Sequence, residues 1–185
     1  MKNLLFLLLI LLGAGWMSCS PQKPAEGTAE GTAADTTKAA ESAPAEIADI
    51  KYMDIGKKLL SQFASGNIDG YMSNFADNAV YHWNNGDSIA GKAAIGDFWK
   101  KRMAGVIDSI SFTNEIYLPV KVNKPQSTEL PGIWLLSWYQ TYAKYTTGKS
   151  MTQGMHAVMH FDANDKIDQV FQYRDNALIE AAMKK

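Results

Sequence analysis

From about residue 50 the hydrophobic positions recur first at helical spacing and then at strand spacing. Tyr52, Ile55, Leu59, Leu60 and Phe63 share one helical face, and Gly66 follows as a stop. Asn67 is placed to cap a second helix carrying Ile68, Tyr71, Met72 and Phe75. "AVYHWN" reads as a short strand ended by the turn signal "NNGD", and Ile95, Phe98, Trp99 and Met103 mark a third helix. The period then becomes two. In "IDSISFTNEIYLPVKV" the positions Ile110, Phe112, Ile116, Leu118, Val120 and Val122 line one face. The loop "NKPQSTELPG" leads to "IWLLSWYQTYAKY", "TTGK" turns into "MTQGMHAVMHF", "ANDK" turns into "IDQVFQY", and "NALIEAAMKK" closes the chain as a helix. Helices first and an antiparallel meander afterwards predict an α+β domain, with helices covering one face of a curved sheet.

That reading decides what the two histidines in "MHAVMHF" can do. His156 and His160 lie on a strand, where four residues span roughly 13 Å at about 3.3 Å per residue. Ligands of one zinc ion must each approach within about 2 Å of it, so the pair cannot share a metal. No Gly-rich phosphate loop, nucleophile elbow or cluster of metal ligands occurs in the folded part, and no cofactor is expected. "GKS" at Gly148–Ser150 lacks the preceding glycine and the following helix of a phosphate loop and reads as a hairpin turn.

The first residues follow a different pattern. "MKNLLFLLLILLGAGWMSCS" has one lysine, an apolar run from Leu4 to Leu12, then small residues before Cys19. The run is too short to span a bilayer and has the layout of a secretory signal. The chain's single cysteine, at the cleavage region, resembles a relaxed bacterial lipobox, which predicts residues 1–18 as a lipoprotein signal peptide and Cys19 as the acylated residue. An ordinary secretory signal with an incidental cysteine is the alternative. Ser20–Glu46 holds no apolar side chain larger than alanine, so residues 19–46 are expected to be a disordered tether. The folded domain is assigned to residues 47–185. With Ser20 after the cysteine and no acidic run behind it, the expected location is the cell envelope, lipid-anchored at the outer membrane and facing the periplasm.

Composition narrows the partners. Eighteen basic against nineteen acidic residues leave a net charge of −1, and no basic stripe suggests nucleic acid. The lipid, rather than charge, would hold the protein at a membrane. Without a second cysteine no disulfide staples the domain, and its core must be hydrophobic.

"GNIDGYMSNFADNAVYHW", "GKAAIGDFW" and "MHAVMHFDANDKIDQVFQY" resemble the second helix and first strand, a central helix and the final hairpin of the nuclear transport factor 2-like superfamily, in its SnoaL-like and ketosteroid-isomerase-like branch. The resemblance covers about Ile50–Lys185. It implies a cone of helices and sheet around an apolar pocket, and a homodimer through the convex sheet face. In its register Met155, Ala157, Met159 and Phe161 point inward, while His82, His156, Val158 and His160 point outward. The positions matching the isomerase's base, tyrosine and oxyanion aspartate are Trp83, Leu59 and Ala157, none of which can do that chemistry.

The same register puts Tyr81, Trp83, Phe98, Trp99, Trp138, Gln140, Tyr142, Met155, Ala157, Met159, Val170, Gln172 and Arg174 in the pocket, a set suited to a small apolar or aromatic molecule. Asp168 falls on the inward set near a strand start. Asp168, His82 and Tyr142 are therefore the candidate proton carriers. Two functions follow: a lipid-anchored module binding a small hydrophobic ligand without catalysis, or an isomerase, cyclase or hydratase using those carriers. The absent isomerase set favours the first.

Overall fold

The computed structural model describes residues 43–185, and the calls on the signal peptide and Cys19 lie outside them. Its elements run β1 (Ala45–Ile47), α1 (Lys51–Ala64), α2 (Ile68–Met72), β2 (Phe75–Trp83), β3 (Ser88–Ala90), α3 (Lys92–Gly105), β4 (Ile107–Val122), β5 (Gly132–Tyr145), β6 (Ser150–Phe161), β7 (Ile167–Tyr173) and α4 (Asn176–Met183). The seven strands form one sheet in the order β1-β4-β5-β6-β7-β2-β3. Neighbours are antiparallel except β2 and β7, which run parallel. The fold is α+β, as the periodicity predicts. Phe75 starts β2 instead of extending α2, which Asn67 caps by accepting from the Gly70 amide at 2.9 Å.

Two short edge strands have no hydrophobic signature. β1 pairs with β4 through Ala45, Glu46 and Ile47, all exposed. Two residues of the segment expected to be a tether, Ala45 and Glu46, thus belong to a strand. Backbone pairing and the Lys121–Glu46 ion pair at 3.1 Å hold it, so composition could not reveal it.

α1 buries Tyr52, Gly56, Leu59 and Phe63. Gly56 has a packing reason. A Cβ there would stand 2.6 Å from the Tyr117 ring and 2.8 Å from Leu135, so the helix backbone lies directly against β4 and β5. The main core joins this face to Ile95 and Trp99 of α3, to Phe75, Ala79, Tyr81 and Trp83 of β2, and to the inner faces of the long strands.

β4 does not keep one face. Thr113 pairs with Gln140 and Ile116 with Trp138, which leaves Asn114 and Glu115 together opposite Tyr139, with Asn114 at φ +53°. This β-bulge reverses the alternation. Ile110 and Phe112 face the helices, whereas Ile116 and Leu118 face outward and Tyr117 and Pro119 take the inner positions. The single apolar face expected across Ile110–Val122 is therefore two half-faces on opposite sides.

Candidate functional site

Inside the cone is a cavity of about 60 Å³. Its apolar wall comes from Leu60 and Phe63 of α1, Ile107, Ile110 and Phe112 of β4, Met151 and Met155 of β6 and Ile179 of α4. Its polar groups are the hydroxyls of Tyr71, Tyr81, Thr141, Tyr139 and Tyr145, the Trp99 indole, the Gln172 amide and the guanidiniums of Arg102 and Arg174. The lining described contains no carboxylate and no imidazole.

Aromatic packing makes the wall rigid. Trp99 meets Phe63 edge-on with centroids 4.8 Å apart and Phe98 at 4.9 Å, and Tyr81 lies 4.9 Å from Trp83. Gln172 is fixed at both ends: its Oε1 accepts from Trp83 Nε1 at 3.2 Å, and its Nε2 donates to the Tyr139 hydroxyl at 3.4 Å. Arg174 lies over the Trp83 ring at 5.2 Å and donates through Nε to Asn176 Oδ1 at 2.9 Å. Arg102 lies over Phe98 at 5.6 Å.

Desolvation governs the ionisable groups. Burial pushes the hydroxyls of Tyr71, Tyr81 and Tyr139 up from the ordinary phenol range, so they remain protonated donors at neutral pH. It draws the guanidiniums of Arg102 and Arg174 down from their ordinary value. Tyr81 also responds to Tyr71, Tyr139 and Arg174, which shows that these groups converge.

Of the residues expected in the pocket, Tyr81, Trp99, Met155, Gln172 and Arg174 line the cavity. Trp83, Phe98, Ala157, Met159 and Val170 belong to the packed core around it, without bordering it. Trp138, Gln140 and Tyr142 must be moved to the other side. Both parities of "IWLLSWYQTYAKY" carry aromatics, but Ser137, Tyr139, Thr141, Ala143 and Tyr145 are the buried set and Trp138, Gln140 and Tyr142 are exposed. Pairing of Tyr139 with Met155 and of Trp138 with His156 fixes that parity. Small polar Ser137 and Thr141 disguised the inner face.

Two of the candidate proton carriers, Asp168 and Tyr142, are also displaced. His160 pairs with Gln169 and Phe161 with Ile167, so Asp168 is an extra residue at a bulge and leaves the inward set. Its Oδ1 lies 2.6 Å from His160 Nδ1, while His160 Nε2 faces the Pro131 carbonyl at 3.1 Å. His82 points outward, as expected, stacks on Phe171 at 4.6 Å and bonds Gln169. With Tyr142 exposed, all three lie off the cavity. Arg102, Tyr71, Tyr139, Thr141 and Tyr145 were missed as wall residues. Arg102 sits four residues after Phe98 on the same helical face, a signal the sequence does contain.

The outer face carries its own aromatic row. Ile116, Trp138, His156 and Tyr173 are successive partners across β4, β5, β6 and β7. The His156 ring stacks between Trp138 at 4.6 Å and Tyr173 at 5.7 Å, and Ile116, Trp138 and Tyr173 are exposed.

The fold is shared with solved structures of low sequence identity. A proposed polyketide cyclase from Xanthomonas campestris pv. campestris superposes with a TM-score of 0.57 at 14% identity, over 71% of this chain and 96% of its own. A proposed isomerase from Bacillus subtilis gives 0.56 at 18%, over 71% and 91%. An LEH-like epoxide hydrolase from M. tuberculosis gives 0.50 at 12%, over 70% and 86%. No curated protein sequence matches the chain significantly. The SnoaL-like domain pattern matches residues 57–170, and with more than half of the chain inside that match, the protein belongs to the SnoaL-like domain family.

Proposed function

We propose that this domain binds a small, largely apolar or aromatic molecule in its cone without transforming it. The observation that carries the reading is the wall's chemistry. The cavity is rigid and aromatic, and among the described residues its only ionisable groups are tyrosines held protonated and arginines. Such a set donates hydrogen bonds and has no group placed to abstract a proton. The alternative, an isomerase, cyclase or hydratase, is less supported because Asp168, His82 and Tyr142 are absent from the cavity lining.

The test is native mass spectrometry of the full chain purified from its own host. A small molecule that co-purifies unchanged, and is lost when Thr141→Leu fills the cavity, is the expected result. Catalytic turnover of that molecule by the purified protein would overturn the non-catalytic reading.

We propose further that Cys19 is acylated and tethers the domain to the envelope, and that two copies associate through the convex face. The first rests on the lipobox resemblance. Among the described residues no helix is long and apolar enough to cross a membrane, which leaves an anchor of this kind untouched. The second is supported by the exposed aromatic row. Intact-mass measurement tests the first: the mass expected of an acylated Cys19 should be absent in Cys19→Ser.

A further inference from the structure

The cavity wall has donors to spare. The buried side-chain polar atoms that find no hydrogen-bond partner among the described residues are Trp99 Nε1, Arg102 Nε and Thr141 Oγ1, and each belongs to a residue of this wall. Two of the three are obligate donors. The acceptor that Gln172 offers is already engaged by Trp83.

The arginines deepen the imbalance. Arg102 and Arg174 are half-buried, and neither has an ion-pair partner among the described residues. Arg102 directs Nη2 at the Met183 sulfur at 3.3 Å, a weak acceptor. Arg174 uses Nε on a neutral amide. They come from different places, the last turn of α3 and the residue just after β7, yet border one cavity. Both also interact with Tyr145, and Arg102 depresses the ionisation of Arg174, so two like charges share one desolvated space. An anion there would satisfy the free guanidinium nitrogens and cancel the repulsion.

We propose that the ligand of this cavity is a small carboxylate with a compact apolar body, its carboxylate held by Arg102 and Arg174 and its body against Phe63, Trp99 and Phe112. This rests on the binding reading above and adds charge and size to it. The carboxylate accepts from donors the wall leaves unused, and the aromatic surface takes up the rest. The cavity's size favours a single ring or a short acyl chain over a fused polycycle.

The test is isothermal titration of the full chain in detergent with benzoate, phenylacetate and hexanoate, each beside its primary amide. At least one carboxylate should bind ten-fold or more tightly than its amide. Arg102→Gln and Arg174→Gln should each abolish that preference. The wild-type comparison of acid with amide stands even if a variant fails to fold. Amides binding as tightly as acids would overturn the anion proposal and leave the apolar-ligand reading standing. No binding by any of the six would overturn both. Inorganic phosphate competing at concentrations similar to the carboxylate would overturn the assignment to carboxylates.

Discussion

His160 and Asp168 face each other across β6 and β7, Nδ1 to Oδ1 at 2.6 Å, on the side of the sheet away from the cavity. Both side chains are largely buried, at 8% and 16% exposed. Trp134 packs on the His160 ring with centroids 4.9 Å apart. The pair is reached only because the bulge at Asp168 turns that carboxylate outward. Its location makes it a structural element of the outer layer.

Asp168→Ala should therefore cost about 1–3 kcal/mol, since it leaves a buried imidazole without its partner. Ligand affinity in the cone should not change. Urea denaturation read beside ligand titration checks both halves. Loss of binding at unchanged stability would return Asp168 to the list of functional residues.

Gly56→Ala sets two effects against each other. Alanine in an exposed helix gains roughly 0.5–1 kcal/mol over glycine. Here the added methyl meets the Tyr117 ring and Leu135 below 3 Å, and overpacking costs typically about 1–3 kcal/mol. Packing wins, so a net loss of stability is expected by thermal or chemical unfolding. A gain would mean that Tyr117 yields freely.

The turn between β6 and β7 is tied to the start of α1. Asp165 accepts from Lys51 Nζ at 2.7 Å and from the Tyr52 hydroxyl at 2.5 Å, and the Lys51 bond, then the Tyr52 bond, hold its carboxyl below its usual range. A depressed carboxylate contributes stability above its unfolded-state value of about 3.9, and that contribution is lost as pH falls through the lower folded-state value. Asp165→Asn suits the positive φ of +56° at this site and removes the charge together with one of the two acceptor oxygens. Its deficit against wild type should be full at pH 7 and shrink below about pH 4. Equal deficits at pH 7 and pH 3 would contradict the assignment.

On the outer face, Trp138→Ser combined with Tyr142→Ser should turn a sedimenting dimer into monomer with the fold intact. Both residues are exposed and absent from the cavity, so ligand affinity per chain should be preserved. A wild-type chain that sediments as a monomer at tens of micromolar would end the self-association proposal.

Period and turn chemistry made most of the fold legible. Leu59, Phe63, Ile95 and Trp99 announced their helix faces, and Met155, Ala157, Met159 and Phe161 announced the inner side of β6. Each departure has a local cause. At Trp138 two apolar parities competed, and only pairing with β6 chose between them. At Ile116 and Asp168 a single extra residue reversed the alternation, and no side chain on either strand advertises it. β1 is stabilised by backbone pairing and one surface ion pair. The cavity was harder to read because its distinctive groups, Arg102 and Thr141, look like surface residues until tertiary structure turns them toward the cavity.

The bulge at Asn114 and Glu115 has a consequence for which changes β4 can absorb. Ile110 and Phe112 on one half furnish cavity wall, Tyr117 on the other half packs under α1, and the extra residue keeps the two in phase. Substitutions on either half stay local to that side. Deleting Asn114 would put the halves out of phase, delivering Ile116 inward and Tyr117 outward or forcing Ile110 and Phe112 out of the cone. Chain length at this one point, more than residue identity, is what separates the protein's interior from its exterior.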